Sequence, residues 1–565
     1  MADAVHAHGA VLFQQLFHDG REMMDSGEGM LPVALSASAV PNERFHIMPR
    51  SMPIAQVREM VQCYAAAAGR MRRAGHDGVE VVASHGYLPA QFLNPRTNQR
   101  SDEYGGTDEN RARFLEEVLA SVRDAVGPSM AVGLRMSVGE ETEDGFSADE
   151  SIAALQRMSG RGLFDYVSVV AGTSATLAGS DHIVPPMTMV SGYTTPLAAR
   201  VKQVVDVPVI VAGRINQPQD AERHIATGEA DACVMTRALI CDPEMPAKAD
   251  TGALDDIRAC IGCNQACIGH FHSGYPISCI QHPETGRELT YGVRMRATRS
   301  RRIVVVGGGP GGMKAAAVAA ERGHQVTLLE AAAQLGGQVL LAQQLPGRAE
   351  FGGAVSNLRR EMERAGVEIR LRTPGSVDLI QSLQPDAVVL ATGATPRRAS
   401  LEVLGDPVVL DAWEVLRGAE VARGRVVVAD WRCDWIGLGV AILMAERGNS
   451  VTLAVSGYHA GQRIQQYVRD EMIKHALRRD VEIIPLVRPY GADTDTVYLQ
   501  HVLTGEPVIV EAVSALVMSQ GHESVNDLEQ GLRSTGTAVH MVGDCLAPRT
   551  VEEAVFEGLK VGTAL

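Results

Sequence analysis

The period of apolar and polar positions changes along this chain, and two styles of patterning meet near residue 300. Before it, short apolar runs alternate with stretches whose apolar residues recur at helical spacing. The runs 11–16, 78–84, 130–136, 165–170, 208–212 and 231–235 predict strands, and the stretches 55–74, 107–126, 147–160, 195–204 and 217–226 predict helices between them. Repeated βα units imply a parallel sheet, either doubly wound or closed into a barrel. The pattern holds six strands, the first almost at the start of the chain, whereas a closed (β/α)8 barrel has eight. Either the fold is another α/β type, or two N-terminal βα units are missing.

Beyond residue 300 the pattern restarts. Arg302–Val306 reads as a strand running into a glycine-rich turn and a helix, a similar unit starts at Gly424, and 538–565 reads as strand, Gly-Asp turn and helix. Residues 251–300 show little periodicity. The expected organisation is therefore an α/β unit over 1–250, a cysteine-bearing segment over 251–300, a Rossmann-like domain over 301–395 plus 535–565, and a second nucleotide-binding-like domain over 396–534.

Composition narrows the class. With 565 residues, 45% hydrophobic and 21% charged, the chain suits several well-cored domains rather than disorder. Its net charge of −15 argues against a general nucleic-acid binder, which needs clustered Lys and Arg. No apolar run approaches the roughly 18 residues of a membrane span, and the start lacks a signal-peptide pattern. A cytoplasmic protein is expected, without membrane or nucleic-acid partners, and a homo-oligomer is compatible with the sequence.

Of nine cysteines, five are scattered (Cys63, Cys233, Cys241, Cys433, Cys545) and four are bunched: Cys260, Cys263, Cys267 and Cys279. A disulfide framework would spread its cysteines along a short secreted chain. The spacing C-x2-C-x3-C-x11-C puts three soft ligands close together and one apart, which suits a [4Fe–4S] cubane better than zinc, whose sites more often use two separated pairs. Buried free cysteines rank last.

The turn Gly307-Gly308-Gly309-Pro310-Gly311-Gly312 follows a strand directly and opens a helix. Gly307, Gly309 and Gly312 fit G-x-G-x-x-G, whose glycines let a pyrophosphate approach the backbone at a helix N-terminus. Glu330 ends the next strand, where a carboxylate can accept from ribose hydroxyls. Ala391-Thr392-Gly393, Leu335-Gly336-Gly337-Gln338 and Val542-Gly543-Asp544 complete a resemblance to the adenine-dinucleotide domain of flavoprotein disulfide-reductase-like proteins. The resemblance implies FAD or ADP, with Gln338, Gly543 and Asp544 in the site and Asp544 toward the flavin. In the second unit, Ala429-Asp430-Trp431-Arg432-Cys433-Asp434-Trp435 carries bulky residues where glycines are expected. A Rossmann-like fold without tight NAD(P)H binding is predicted there.

The stretches Gly78–Leu88 (with His85-Gly86-Tyr87), Gln91–Pro95, Asn98–Gly106 and Glu109–Phe114 resemble the old yellow enzyme family of FMN-binding barrels. With the cysteine segment and the dinucleotide domain, nearly the whole chain is similar to its multidomain branch, which contains 2,4-dienoyl-CoA reductase, trimethylamine dehydrogenase and related N-demethylating dehydrogenases. The resemblance implies a TIM-type barrel, here lacking two βα units, with FMN at its C-terminal mouth. It assigns Gln15 to the flavin pyrimidine ring and Arg135 to N1 and O2, where a guanidinium stabilises charge arising on reduction. Ala212-Gly213-Arg214 and Thr236-Arg237 match the phosphate loops. His85 matches one member of the substrate-contacting pair, while the other, commonly His or Tyr, is Val82. The aspartate that trimethylamine dehydrogenase carries near Thr173 is absent, and Asp181 and His182 are the expected substitutes, with Tyr193 a weaker candidate. The expected function is oxidative N-demethylation of a small methylated amine or amino acid, with an electron-transfer protein as acceptor. The rivals are an NAD(P)H-dependent reductase of activated alkenes and a degraded, non-catalytic paralogue.

Overall fold

The structure, a computed structural model, describes residues 1–23, 29–143 and 145–565. It forms two compact units, Met1–Thr236 and Arg237–Leu565.

The first unit is built from six principal strands: β1 (Phe13–Leu16), β2 (Gly78–Ala83), β3 (Ala131–Ser137), β4 (Tyr166–Val170), β5 (Val209–Val211) and β6 (Ala232–Cys233). They pair in sequence order, all parallel, and among the described residues β1 and β6 are not paired to each other. Helices α1 (Ile54–Arg73), α2 (Asp108–Val126), α3 (Ala148–Met158), α4 (Thr195–Lys202) and α5 (Pro218–Ala226) fill the connections, within about two residues of the sequence pattern.

The local reasons are ordinary. Thr107 caps α2 by accepting from the Asn110 amide, Asp108 and Glu109 sit in its first turn, and Leu115, Val118, Leu119 and Val122 form its buried stripe. Ser147 and Glu150 close a capping box on α3. Every strand of the sheet shows one row to these helices: Val79, Val81, Val132, Leu134, Val167, Val169, Val209 and Val211 pack into their core. The alternate rows (Gly78, Glu80, Val82; Gly133, Arg135; Tyr166, Ser168) face the other side, because successive strand residues point to opposite faces.

The second unit contains two sheets of one design. In the first, β7 (Arg302–Val306) leads through α6 (Pro310–Glu321) to β8 (Gln325–Leu329). Then come α7 (Phe351–Ala365), β9 (Glu368–Arg370) and β10 (Ala387–Leu390). In the second, β11 (Val409–Asp411) precedes β12 (Arg425–Asp430), α8 (Trp435–Glu446), β13 (Ser450–Val455), β14 (Glu482–Ile484) and β15 (Val513–Ser519). The chain then returns to the first sheet as β16 (Ala538–Met541) and closes on α9 (Val551–Ala564). The orders are β9-β8-β7-β10-β16 and β14-β13-β12-β15-β11, every pairing parallel. A smaller antiparallel layer, Val487–Ala492, Thr496–His501 and Pro507–Glu511, accompanies the second sheet. Among the described residues no helix is long and apolar enough to cross a membrane.

Candidate functional site

In the first unit the polar residues of the concave row gather around one carboxylate. Glu80 is buried and accepts from Gln15 Nε2 at 2.7 Å and from the Tyr166 hydroxyl at 3.0 Å. The Arg135 guanidinium donates from Nη1 to Ser168 Oγ at 3.2 Å. Burial works against the Arg135 charge and Glu80 supports it. The structure therefore brings Gln15 and Arg135 into one constellation. Glu80 and Tyr166 were not anticipated as members, although Glu80 is the one charged residue of the otherwise apolar run Gly78–Ala83.

His85 follows β2 in a left-handed conformation, φ +56°. Its amide donates to Ser137 Oγ at 2.8 Å. Burial, and then Arg135, push its pKa down to about 3, so the imidazole is neutral at any ordinary pH. Its Nδ1 is buried with no hydrogen-bond partner among the described residues. Such an atom is costly unless a ligand satisfies it. Val82, three residues earlier on the row that faces away from the helices, offers no side-chain donor.

The segment after β4 completes this rim. Thr173 pairs with His85 as an isolated bridge and donates its amide to the Gly179 carbonyl at 3.2 Å. Gly172 takes φ +87°, and a Cβ there would collide with His182 Cβ and the Gly179 carbonyl. That close approach draws Asp181 and His182 in, and Tyr193 locks them by donating its hydroxyl to the His182 carbonyl at 2.9 Å. Behind Gly86 lie two buried carboxyls, neither anticipated. Burial pushes Glu22 up to about 8, against the pull of Arg21, and burial also raises Glu140.

Of the expected phosphate loops, the Gly213 carbonyl accepts from the Gly192 amide at 2.7 Å, and Arg214, at φ +59°, donates to the Met189 carbonyl at 2.6 Å. Thr236 ends the first unit. Arg237 opens the second and donates to Asn264 Oδ1 at 2.7 Å. The donor set of Gln15, Arg135 and the orphaned His85 nitrogen fits a flavin: an amide and a guanidinium match its pyrimidine edge, and a ligand at the rim answers the imidazole.

In the second unit Cys260, Cys263, Cys267 and Cys279 line one small cavity. Asn264, left-handed at φ +57°, reverses the chain between Cys263 and the π-helical turn Gln265–Gly269 that carries Cys267. Amides already point at two sulfurs, Gly262 at Cys260 Sγ (3.5 Å) and Gln281 at Cys279 Sγ (3.4 Å). Four thiols around one small space are the soft donor set that an iron–sulfur cage takes.

A cavity of about 1240 Å³ opens on the Gly307–Gly312 turn, is lined by Glu330, Gln338, Gly543 and Asp544 as well, and extends to Arg432, Asp434 and Trp435 of the second turn. Gly307 takes φ +110°, and a Cβ would strike the Ala391 carbonyl; at Gly309 the space is open. Glu330 accepts from the Gly308 amide at 2.7 Å, and Gln338 donates to Asp544 Oδ2 at 2.9 Å. Every residue expected at the dinucleotide thus meets at one cavity, and the open backbone fits a pyrophosphate.

The second turn differs in kind. By strand register Asp430 stands where Gly307 does; the turn is then two residues longer, so by helix position Asp434 stands where the N-cap Gly309 does and Gly437 where Gly312 does. Asp430 is buried, accepts from the Cys433 amide at 3.0 Å, and lies so close to α8 that a Cβ on Gly437 would collide with its carboxyl. Asp434 caps α8 by accepting from the Ile436 amide at 3.0 Å and pairs with Arg432 at 2.8 Å. Burial, with Asp434 next, raises the Asp430 carboxyl well above the usual range. The helix N-terminus that would receive a pyrophosphate already holds the chain's own carboxyls.

Fold and site together define an FMN-dependent oxidoreductase joined to a Rossmann-like nucleotide-binding unit. Residues 1–256 match the NADH:flavin oxidoreductase / NADH oxidase family and residues 301–558 the pyridine nucleotide-disulphide oxidoreductases. The chain is 34% identical to an NADH oxidase of Thermoanaerobacter brockii, over 99% of its own length and 86% of that protein. It is 33% identical to an N,N-dimethylglycine/sarcosine dehydrogenase of Chromohalobacter salexigens, over 99% and 87%. A histamine dehydrogenase structure from Rhizobium sp. 4-9 superposes with a TM-score of 0.92 at 26% identity, covering 100% of this chain and 85% of that one. The chain belongs to the NADH:flavin oxidoreductase / NADH oxidase family.

Proposed function

We propose that the protein is an amine dehydrogenase that oxidatively N-demethylates a small methylated amine or amino acid and passes the electrons to an electron-transfer protein. The observation that carries this reading is the second turn: Asp430 and Asp434 occupy the anion seat that NAD(P)H would need. Electrons then enter from the organic substrate. Bound FMN would supply the hydride acceptor, a [4Fe–4S] cluster on Cys260, Cys263, Cys267 and Cys279 a one-electron outlet, and FAD or ADP would sit at the first turn.

The chain's own residues do the rest. Arg135 is a fixed charge that stabilises negative charge developing beside it. Neutral His85 donates or accepts one hydrogen bond at the rim. Val82 withholds the second donor that would grip an enone oxygen, which suits a C–H donor better than a polarised alkene. Asp181 and His182, drawn in by Gly172, are the residues for a substrate's polar groups. After hydride loss, water adds to the substrate iminium and formaldehyde leaves with the demethylated amine. Similarity to the dimethylglycine/sarcosine dehydrogenase supports this reading.

Similarity to the NADH oxidase and to a multifunctional alkene reductase/demethylase of Caballeronia cordobensis favours a second reading, NAD(P)H-dependent reduction of activated alkenes. Anaerobic spectra separate the two. N-methyl amino acids such as dimethylglycine or N-methylproline should bleach the bound flavin, and NADH and NADPH should not. Bleaching by NAD(P)H alone would reverse the assignment, and colourless, iron-free protein would overturn both.

A further inference from the structure

A fifth sulfur stands at the cysteine cavity. Cys241 is fully buried and lines the same space as the four bunched cysteines. It reaches them only in the fold, from a short helix 19 residues before Cys260 in the chain (260 − 241). Gln281 touches both sulfurs: its amide donates to Cys279 Sγ at 3.4 Å and its Nε2 to Cys241 Sγ at 3.4 Å.

The surroundings of Cys241 set what its sulfur can do. Gln281 Nε2 donates to Cys241 Sγ at 3.4 Å, so a lone pair of that sulfur is engaged and its own proton is the one left to give. Gln281 is held in turn: it donates to the Ala259 carbonyl at 2.9 Å, and its Oε1 accepts from Asn357 Nδ2 on α7 at 2.7 Å. Arg258 donates to the Cys241 carbonyl at 3.0 Å and is anchored on Glu361 at 2.6 Å. The result is a buried chain of donors, Asn357 to Gln281 to Cys241, that ends at the cavity Cys279 lines, in surroundings where each bond strengthens the next.

We infer that Cys241 is a positioning residue which, as a thiol donating to Cys279, raises the reduction potential of the iron–sulfur cluster. The inference rests on the cluster reading above. A hydrogen bond to a ligating sulfur favours the reduced state, which carries more negative charge on its sulfurs, and such bonds are among the levers that set cluster potentials. An S–H group is a weak donor, so the effect is modest.

The test is an EPR-monitored redox titration of the purified holoenzyme beside Cys241→Ala and Cys241→Ser. Cys241→Ala should shift the reduced/oxidised equilibrium about fivefold toward oxidised, about 40 mV at 59 mV per tenfold for one electron. Cys241→Ser keeps a donor and should recover most of that shift. Asn357→Leu, which loosens the outer link, should move the potential the same way by less. Should Cys241→Ala not fold, Cys241→Val fills more of the same space without a donor and takes its place. Equal potentials and equal g values in an iron-loaded wild type and donor-free variant overturn the inference alone. An iron-free wild type overturns the cluster reading and this inference with it. A shift shared equally by Ala and Ser variants marks a packing effect and also overturns it.

Discussion

The turn after β7 and the turn after β12 follow the same strand of two matching four-strand orders, β9-β8-β7-β10 and β14-β13-β12-β15, yet one is bare glycine and the other is filled by side chains. Backbone topology is not what separates them. At the first, Gly307, Gly309 and Gly312 leave the amides of a helix N-terminus facing a cavity. At the second, Asp430 and Asp434 stand where Gly307 and Gly309 do, bulky Trp431, Arg432 and Trp435 crowd between and beside them, and Asp434 spends its carboxylate on the helix amide. A Rossmann-like sheet needs only its apolar strands and its crossover helices to form. Binding needs the turn left empty of side chains and of charge. The comparison teaches that the fold and the nucleotide site are separate properties, and that the second can be lost while the first is kept.

The sharpest way to break the contrast is to give the first turn the second turn's chemistry. Gly309→Asp puts a carboxylate where a side chain meets nothing within 4 Å, so folding should be spared. Like charge against the pyrophosphate should weaken dinucleotide retention by at least about a hundredfold, roughly 2.7 kcal/mol. Nucleotide released on denaturation and quantified by chromatography reads the loss; full retention would mean the phosphates do not sit there. The converse rebuilds three glycines at the second turn. Asp430→Gly, Arg432→Gly and Asp434→Gly together should tighten NADH binding by about tenfold over the wild type, or about 1.4 kcal/mol, followed by nicotinamide fluorescence. No gain would show that some other element closes this turn.

Glu330 tests the finer part of the open site. Its carboxylate accepts from Gly308 at 2.7 Å and Ala332 at 2.6 Å, so Glu330→Gln removes charge while keeping an acceptor. Nucleotide affinity should fall only about fivefold, near 1 kcal/mol, in equilibrium titration of the apo-protein. The smallest effect concerns the closed turn's acid. Burial raises the Asp430 carboxyl, so the folded chain keeps its proton where the unfolded chain has lost it. Stability from this group is full below the ordinary carboxylate range and declines as pH rises above it. Thermal scans should show the melting temperature falling by about 1–3 °C per pH unit in that window, and Asp430→Asn should flatten the slope. A slope that survives the substitution belongs to another group, with Glu22, held near 8 by burial, the first to examine.

Much of the site was readable before folding because its signals are local. Four cysteines within twenty residues, glycines after a strand, and a carboxylate at the end of the next strand each announce themselves over short spans. His85 and Arg135 were legible for a related reason: both lie at strand ends, where the pattern of βα units says function gathers. Other members carried no such signal. Tyr166 joins Glu80 only because β2, β3 and β4 are neighbours and their registers align. Glu22 and Glu140 stand far apart in sequence and share a buried wall. Cys241 looked like one scattered cysteine among five, since nothing nearby in sequence points it at Cys279.

The sequence by itself determined the periods of strand and helix, the two nucleotide-type units, the cysteine spacing and the bulk at the second turn, because each follows from residue type and spacing along the chain. Only the tertiary structure decided that the second turn is closed by charge as well as bulk. It alone left the His85 nitrogen unsatisfied at the rim, and it alone placed a fifth sulfur beside the four. Those outcomes depend on which buried groups meet across the sheet and on how far each is removed from water, and neither quantity exists until the chain has folded.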